Sequence, residues 1–110
     1  MERFVKGDVV VIPFPFSDLS QSKRRPAMVL ASLQGNDIIL CQITSGQAAD
    51  RYSIPLTESE FTSGTLKQES NIRPNKIFTA DSSIVEYRAG VLKEKKTKEI
   101  TEKVCAILRG

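Results

Sequence analysis

The sequence predicts a mainly β fold, a small SH3-like barrel of short antiparallel strands carrying one amphipathic helix at its C-terminal end. Three observations lead there. Apolar runs of strand length recur through the first ninety residues or so, turn-forming residues separate them, and the hydrophobic period becomes helical only from Glu94 onward.

The elements follow in order. Val9-Val10-Val11-Ile12, Ala27-Met28-Val29-Leu30-Ala31 and Ile38 to Thr44 read as consecutive antiparallel strands, the second and third joined through Gln34-Gly35-Asn36-Asp37. Tyr52-Ser53-Ile54-Pro55-Leu56 alternates weakly, and its proline places it at a sheet edge. Asn71-Ile72-Arg73 and Lys76-Ile77-Phe78-Thr79 read as two extended pieces interrupted by Pro74-Asn75, and Gly90-Val91-Leu92 as a last short strand. Asp81 before Ser82-Ser83-Ile84 is placed to cap a short helical turn. In the tail, Thr97, Ile100, Val104, Ile107 and Leu108 fall at helical spacing. Glu94 with Lys98 and Glu99 with Lys103 stand four apart in the favourable order, so the run Lys93 to Lys98 reads as a solvated helix face.

A chain of 110 residues suits one domain spanning 1–110, with its function on the surface of a single small scaffold. Sixteen Lys and Arg against thirteen Asp and Glu give a net charge of +3, which permits a polyanionic partner without requiring one. The N-terminal residues lack a signal-peptide core, and Pro13 and Pro15 break the longest apolar run, so a cytoplasmic protein with no membrane span is expected. Cys41 and Cys105 have no motif spacing and read as small hydrophobes rather than a disulfide, a metal site or a nucleophile.

The polar residues at strand ends form the candidate site. Lys23-Arg24-Arg25-Pro26 opens the second strand, Thr44-Ser45-Gly46 closes the third, and Ser70, Arg73 and Lys76 surround the Pro74 break. Arginine offers a forked, permanently charged donor set, hydroxyls add hydrogen bonds, and glycine lets a backbone come close, which together suit a phosphate. Pro26 fixes its own backbone and biases Arg25 toward extended geometry. The chain has no histidine, so imidazole acid-base chemistry is excluded, and its carboxylates are scattered rather than grouped as metal ligands. No Gly-rich nucleotide loop and no activated Ser or Cys motif is present. No cofactor and no metal are expected.

Four separated blocks then match in order: Gly7-Asp8-Val9-Val10 with Pro13-Phe14-Pro15-Phe16-Ser17-Asp18; Lys23 to Leu30; Gln42-Ile43-Thr44-Ser45; and Ser70 to Asp81. Together they resemble the PemK/MazF family of toxin ribonucleases, from about residue 6 to the terminal helix. The resemblance implies a CcdB/PemK-type barrel, a homodimer, metal-independent and sequence-selective cleavage of single-stranded RNA, and a cognate antitoxin that occupies the RNA groove. It carries active-site roles onto Arg25 and Thr44, and onto Arg73, which coincides with an arginine used by some members. Lys23, Arg24, Ser45, Ser70, Asn75 and Lys76 become RNA-binding candidates. Where certain members carry an acidic residue, this chain has Asn75, and the histidine that others place in the first loop is absent.

Plainer readings stand beside these. Arg25 also fits a surface arginine, Thr44 and Ser45 also fit strand-end caps, and Phe14, Phe16 and Phe78 fit either the core or base stacking. Two other functions fit the same fold: an RNA-binding barrel without activity, and a gyrase-inhibiting toxin. The usual C-terminal Trp of the latter is missing, because the chain has no tryptophan.

Overall fold

Among the residues described by the computed structural model, 3–14, 23–46 and 50–110, seven strands join into one antiparallel sheet. They are β1 Asp8–Phe14, β2 Lys23–Ser32, β3 Asp37–Ser45, β4 Ile54–Leu56, β5 Phe61–Gly64, β6 Ser70–Asp81 and β7 Tyr87–Leu92, followed by helix α1 Glu94–Arg109. The spatial order is β4-β6-β3-β2-β1-β7-β5.

That order makes β4 and β5 the two edges, yet only residues 57–60 separate them in sequence. Five Cα steps reach at most about 19 Å, whereas seven strands laid flat would hold their edges about 29 Å apart. The sheet therefore curls until its edges approach. Its inner face and the helix enclose the larger core, in which Leu56 and Phe61 from the two edges meet Val9, Met28, Ile43, Ile72, Ile100 and Val104. A second cluster on the outer face gathers Val10, Ile12, Ala27, Val29, Ile38 and Leu40 under Phe4. The fold is the mainly β, curled barrel-like sheet with a terminal helix that the sequence predicts.

Four local features differ from the sequence reading. First, β6 is one strand, but its pairing with β3 jumps from Gln42↔Arg73 to Cys41↔Ile77. Pro74, Asn75 and Lys76 bulge out of the ladder, which is where a proline without an N–H is tolerated. Second, β5 escapes prediction because Phe61-Thr62-Ser63-Gly64 is short and polar. Gly64 there has φ +68°, and a Cβ would stand 2.2 Å from the Ala89 carbonyl oxygen, so the backbones of β5 and β7 approach where only glycine fits.

Third, Leu108 is 72% exposed, leaving Ile100 and Val104 as the buried apolar contacts of α1. Fourth, Lys96 is buried and not part of a solvated face; its Nζ lies 2.7 Å from Glu60 and 3.2 Å from Glu99, tying the helix to the turn between β4 and β5. Glu99 thus pairs one turn back, and the predicted Glu94–Lys98 and Glu99–Lys103 contacts do not form.

Two smaller expectations hold. Pro55 is exposed on the edge strand β4, and the Asp81 carboxylate accepts from Ser83 N–H at the head of a 3-10 turn. Cys41 and Cys105 are unpaired, and burial pushes the Cys41 thiol up to about 12 despite a bond from the backbone at Met28. Phe78 packs half-buried against the outer cluster, while Phe16 and the side chain of Phe14 lie outside the described residues. No described helix is long and apolar enough to cross a membrane.

Candidate nucleic-acid interface and active site

Strand registers show which predicted residues share a face. Ile12 of β1 pairs with Arg25 of β2, and Val10 with Ala27. Ala27 in turn pairs with Gln42 of β3, Gln42 with Arg73 of β6, and Thr44 with Asn71. Side chains alternate along a strand, so Arg25, Gln42, Thr44, Asn71 and Arg73 all belong to the outer face, the face of Ile12 and Val10. At one end that face is apolar and covered by Phe4; at the other it turns polar. Arg25 and Arg73 stand on strands two apart and two residues out of line, a backbone separation of about 12 Å. The two guanidinium side chains thus stand on one face, with Thr44 on the strand between them.

Arg73 is not adrift. Its side chain is only 12% exposed, and Nη2 forms an ion pair with Asp50 Oδ2. Asn75 Nδ2 donates to the same oxygen at 3.4 Å. The other oxygen of Asp50 accepts from Tyr52 N–H at 3.0 Å, Ser53 N–H at 3.1 Å and Ser53 Oγ at 3.1 Å, an Asx turn that fixes residues 50–53. Partial burial pushes the Asp50 pKa up, but the hydrogen bonds from Arg73, Tyr52 and Ser53 and the Arg73 charge outweigh it and hold the carboxyl at about 2. A little further along β6, the Asn71 amide donates to the Gly46 carbonyl. The chain after β3 is thus pinned to β6 at Asn71, Arg73 and Asn75.

Around the end of the sheet lies a hollow of about 330 Å³ whose lining includes Lys23, Arg24, Arg25, Ser45, Lys67 and Ser70. Ser45 and Ser70 pair directly, one residue along from Thr44 and Asn71, so they belong to the opposite face. Arg25 borders both surfaces. Among the described residues the hollow gathers four cations and no carboxylate, although Arg24 is already engaged, its Nε 2.8 Å from Glu86. Ser70 is buried and donates to the Gln68 carbonyl at 3.0 Å. A larger hollow of about 470 Å³ at the turn between β2 and β3 carries one cation, Arg3, and one carboxylate, Asp37, and so has no net charge to favour a polyanion.

The predicted set therefore divides. Arg25, Thr44 and Arg73 share the outer face; Lys23, Arg24, Ser45 and Ser70 line the hollow with Arg25; Asn75 attaches to Asp50. Lys76 is exposed in the bulge of β6, away from the hollow. The sequence reading omits Gln42, Asp50, Asn71 and Lys67. Asp50 carries one local signal, an aspartate two residues ahead of Tyr52-Ser53, which suits an Asx turn; its bond to Arg73, twenty-three positions away, leaves no trace in spacing. Among the described residues no three His, Cys, Asp or Glu side chains gather as metal ligands.

Comparison with known proteins decides the family. The model of the PemK-like, MazF-like toxins of type II toxin-antitoxin systems matches residues 5–108. The chain belongs to the PemK/MazF toxin family. A search of curated proteins finds no match. Among solved structures, this PemK/MazF chain is similar to MazF from Deinococcus radiodurans, at 16% identity and a TM-score of 0.77 over 100% of both chains. It is also similar to an endoribonuclease in complex with its cognate antitoxin from a mycobacterial species, at 10% identity and a TM-score of 0.76 over 97% of this chain and 96% of that one. A MazE–MazF complex from Deinococcus radiodurans aligns at 17% identity and a TM-score of 0.72, covering 98% and 97% of the two chains. At such identities these likenesses bear on the PemK/MazF fold and not on the residues of the site.

Proposed function

We propose that the chain is a metal-independent endoribonuclease that cuts single-stranded RNA at selected sequences, as the cytoplasmic toxin of a toxin-antitoxin pair. The observation that carries this reading is the shared face of Arg25, Thr44 and Arg73 on three adjacent strands beside a cationic hollow.

The reaction is attack by a ribose 2′-hydroxyl oxygen on the adjacent phosphorus. The new O–P bond closes a 2′,3′-cyclic phosphate as the 2′-hydroxyl gives up its proton to solvent water, the bond to the next nucleotide's 5′-oxygen breaks, and that oxygen takes a proton from water to leave as a hydroxyl. Negative charge concentrates on the non-bridging oxygens in the transition state. Arg25 and Arg73 stabilise it, Arg73 held beforehand by its ion pair with Asp50 and Arg25 carried on a strand whose backbone is fixed and left unpaired for the substrate. Guanidinium groups there supply the charge that a divalent cation otherwise would. Thr44 hydrogen-bonds the attacking hydroxyl or a phosphate oxygen; a hydroxyl is too weak a base to take the proton, so its role is positioning.

Lys23 and Lys67 attract the flanking backbone, and Ser45 offers a hydroxyl beside it. The same cationic surface suits an acidic segment of an antitoxin, whose binding would exclude RNA by occupying its groove, and the active species is a homodimer. The test is primer extension on a long single-stranded RNA incubated with the protein. Stops recurring at one short sequence are expected, and the same sequence annealed to its complement should resist. RNA left intact, or nicked with no preferred sequence, would overturn the reading.

A further inference from the structure

Asp50 is the one described carboxylate that engages the outer-face cluster, and the sequence pattern assigns it no more than an Asx turn. Its two oxygens divide their work. Oδ1 is filled by Tyr52 N–H, Ser53 N–H and Ser53 Oγ, which anchors the carboxylate on its own turn. Oδ2 faces β6 and takes Arg73 Nη2 and Asn75 Nδ2. We propose that Asp50 is a positioning residue for phosphodiester cleavage, a rigidly mounted anion that fixes the Arg73 guanidinium on the outer face before RNA binds. The inference rests on the function proposed above.

The geometry excludes two other roles. A general base needs a vacant lone pair near the proton it takes, and both oxygens of this carboxylate already accept, Oδ1 from three donors and Oδ2 from two. A simple turn anchor needs only Oδ1, whereas Oδ2 reaches to a residue on another strand. What remains is the hold on Arg73. A guanidinium carries five N–H donors in a fixed plane, and the pair with Asp50 engages Nη2, so the group can be held at one end while presenting other donors to a phosphate. Arg73 also needs a counter-charge for its own sake, being nearly buried with an Nε that has no hydrogen-bond partner among the described residues. Without Asp50 the long side chain would sample several rotamers, and a misplacement of about 1 Å can cost on the order of a hundredfold in rate.

The test measures kcat and KM on a defined RNA for wild type, Asp50→Asn, Arg73→Ala and the double variant, with thermal melts alongside. Asp50→Asn should lower kcat by about ten- to a hundredfold with KM little changed, and should add almost nothing in the Arg73→Ala background, because Asp50 acts through Arg73. If Asp50→Asn melts below the assay temperature, Asp50→Glu takes its place: the charge stays, the carboxylate moves by one methylene, and kcat should still fall. An unchanged kcat in the folded variant, or an equal loss with and without Arg73, overturns the inference while wild-type cleavage leaves the proposed function standing. A wild-type chain that cuts no RNA overturns both.

Discussion

Replacing Arg25 with alanine should lower RNA cleavage by about a hundred- to a thousandfold, the usual loss on removing one preorganised donor to a developing oxyanion, and should leave the melting temperature nearly unchanged. The two expectations have one origin. Arg24 is tied to Glu86 and Arg73 to Asp50, but no ion pair or hydrogen bond links Arg25 to another described residue. Its place on β2 is fixed by the ladder with Ile12, and it stands half-buried where the outer face meets the hollow. A guanidinium carried on a fixed strand and spared from structural pairing is available to substrate, and the fold loses little without it. Arg25→Lys should recover only a small part of the rate, since a point charge lacks the planar fork that engages two phosphate oxygens. Initial rates on a defined RNA, with thermal melts of each variant, check both halves.

Replacing Ile72 with alanine should do the reverse. Ile72 is fully buried in the inner core and pairs with Ile43 on one side and Ile54 on the other. Truncating a large aliphatic side chain at such a position costs about 2–5 kcal/mol, a large share of the roughly 5–15 kcal/mol that holds a domain of this kind together. The melting temperature should fall by roughly 10–25 °C. Ile72 lies between Asn71 and Arg73 but points to the other face, so below its new transition the variant should keep most of its activity and lose it in step with unfolding. A urea or thermal denaturation series, paired with rates measured well below the midpoint, separates this pattern from that of Arg25.

The contrast between the two residues shows what a sequence discloses and what it withholds. Ile72, Ile43 and Met28 are legible because burial dictates apolar character, and the strands they occupy repeat that character between turn-formers. Arg25 and Thr44 are legible as strand-end polar residues, and family resemblance sharpens them into candidates. Their common face is a property of register: Ala27 opposite Gln42 and Gln42 opposite Arg73 are pairings between positions far apart in the chain. The bulge at Pro74–Lys76 is half legible, since a proline announces an interruption without saying that the strand resumes beyond it. β5 is hidden because a strand that closes a curled sheet needs backbone approach at Gly64 and Gly90 more than apolar side chains. Lys96 misleads because a lysine in a charged helical run looks solvated until Glu60 comes over it from another part of the chain. Asp50 is withheld for the same reason, its meaning lying in a partner on β6.

The central claim is that paired guanidinium groups on the outer face, and no bound cation, stabilise a phosphodiester during attack by its own 2′-hydroxyl. The most direct measurement is end-group analysis of the products formed from a defined RNA in the presence of EDTA, for wild type and Arg25→Ala. The account predicts a 5′-hydroxyl on one fragment and a 2′,3′-cyclic or 3′-phosphate on the other from wild type, with almost no product from the variant. Fragments bearing a 5′-phosphate, cleavage abolished by EDTA and restored by a divalent cation, or an Arg25→Ala variant that cuts at the wild-type rate would contradict it.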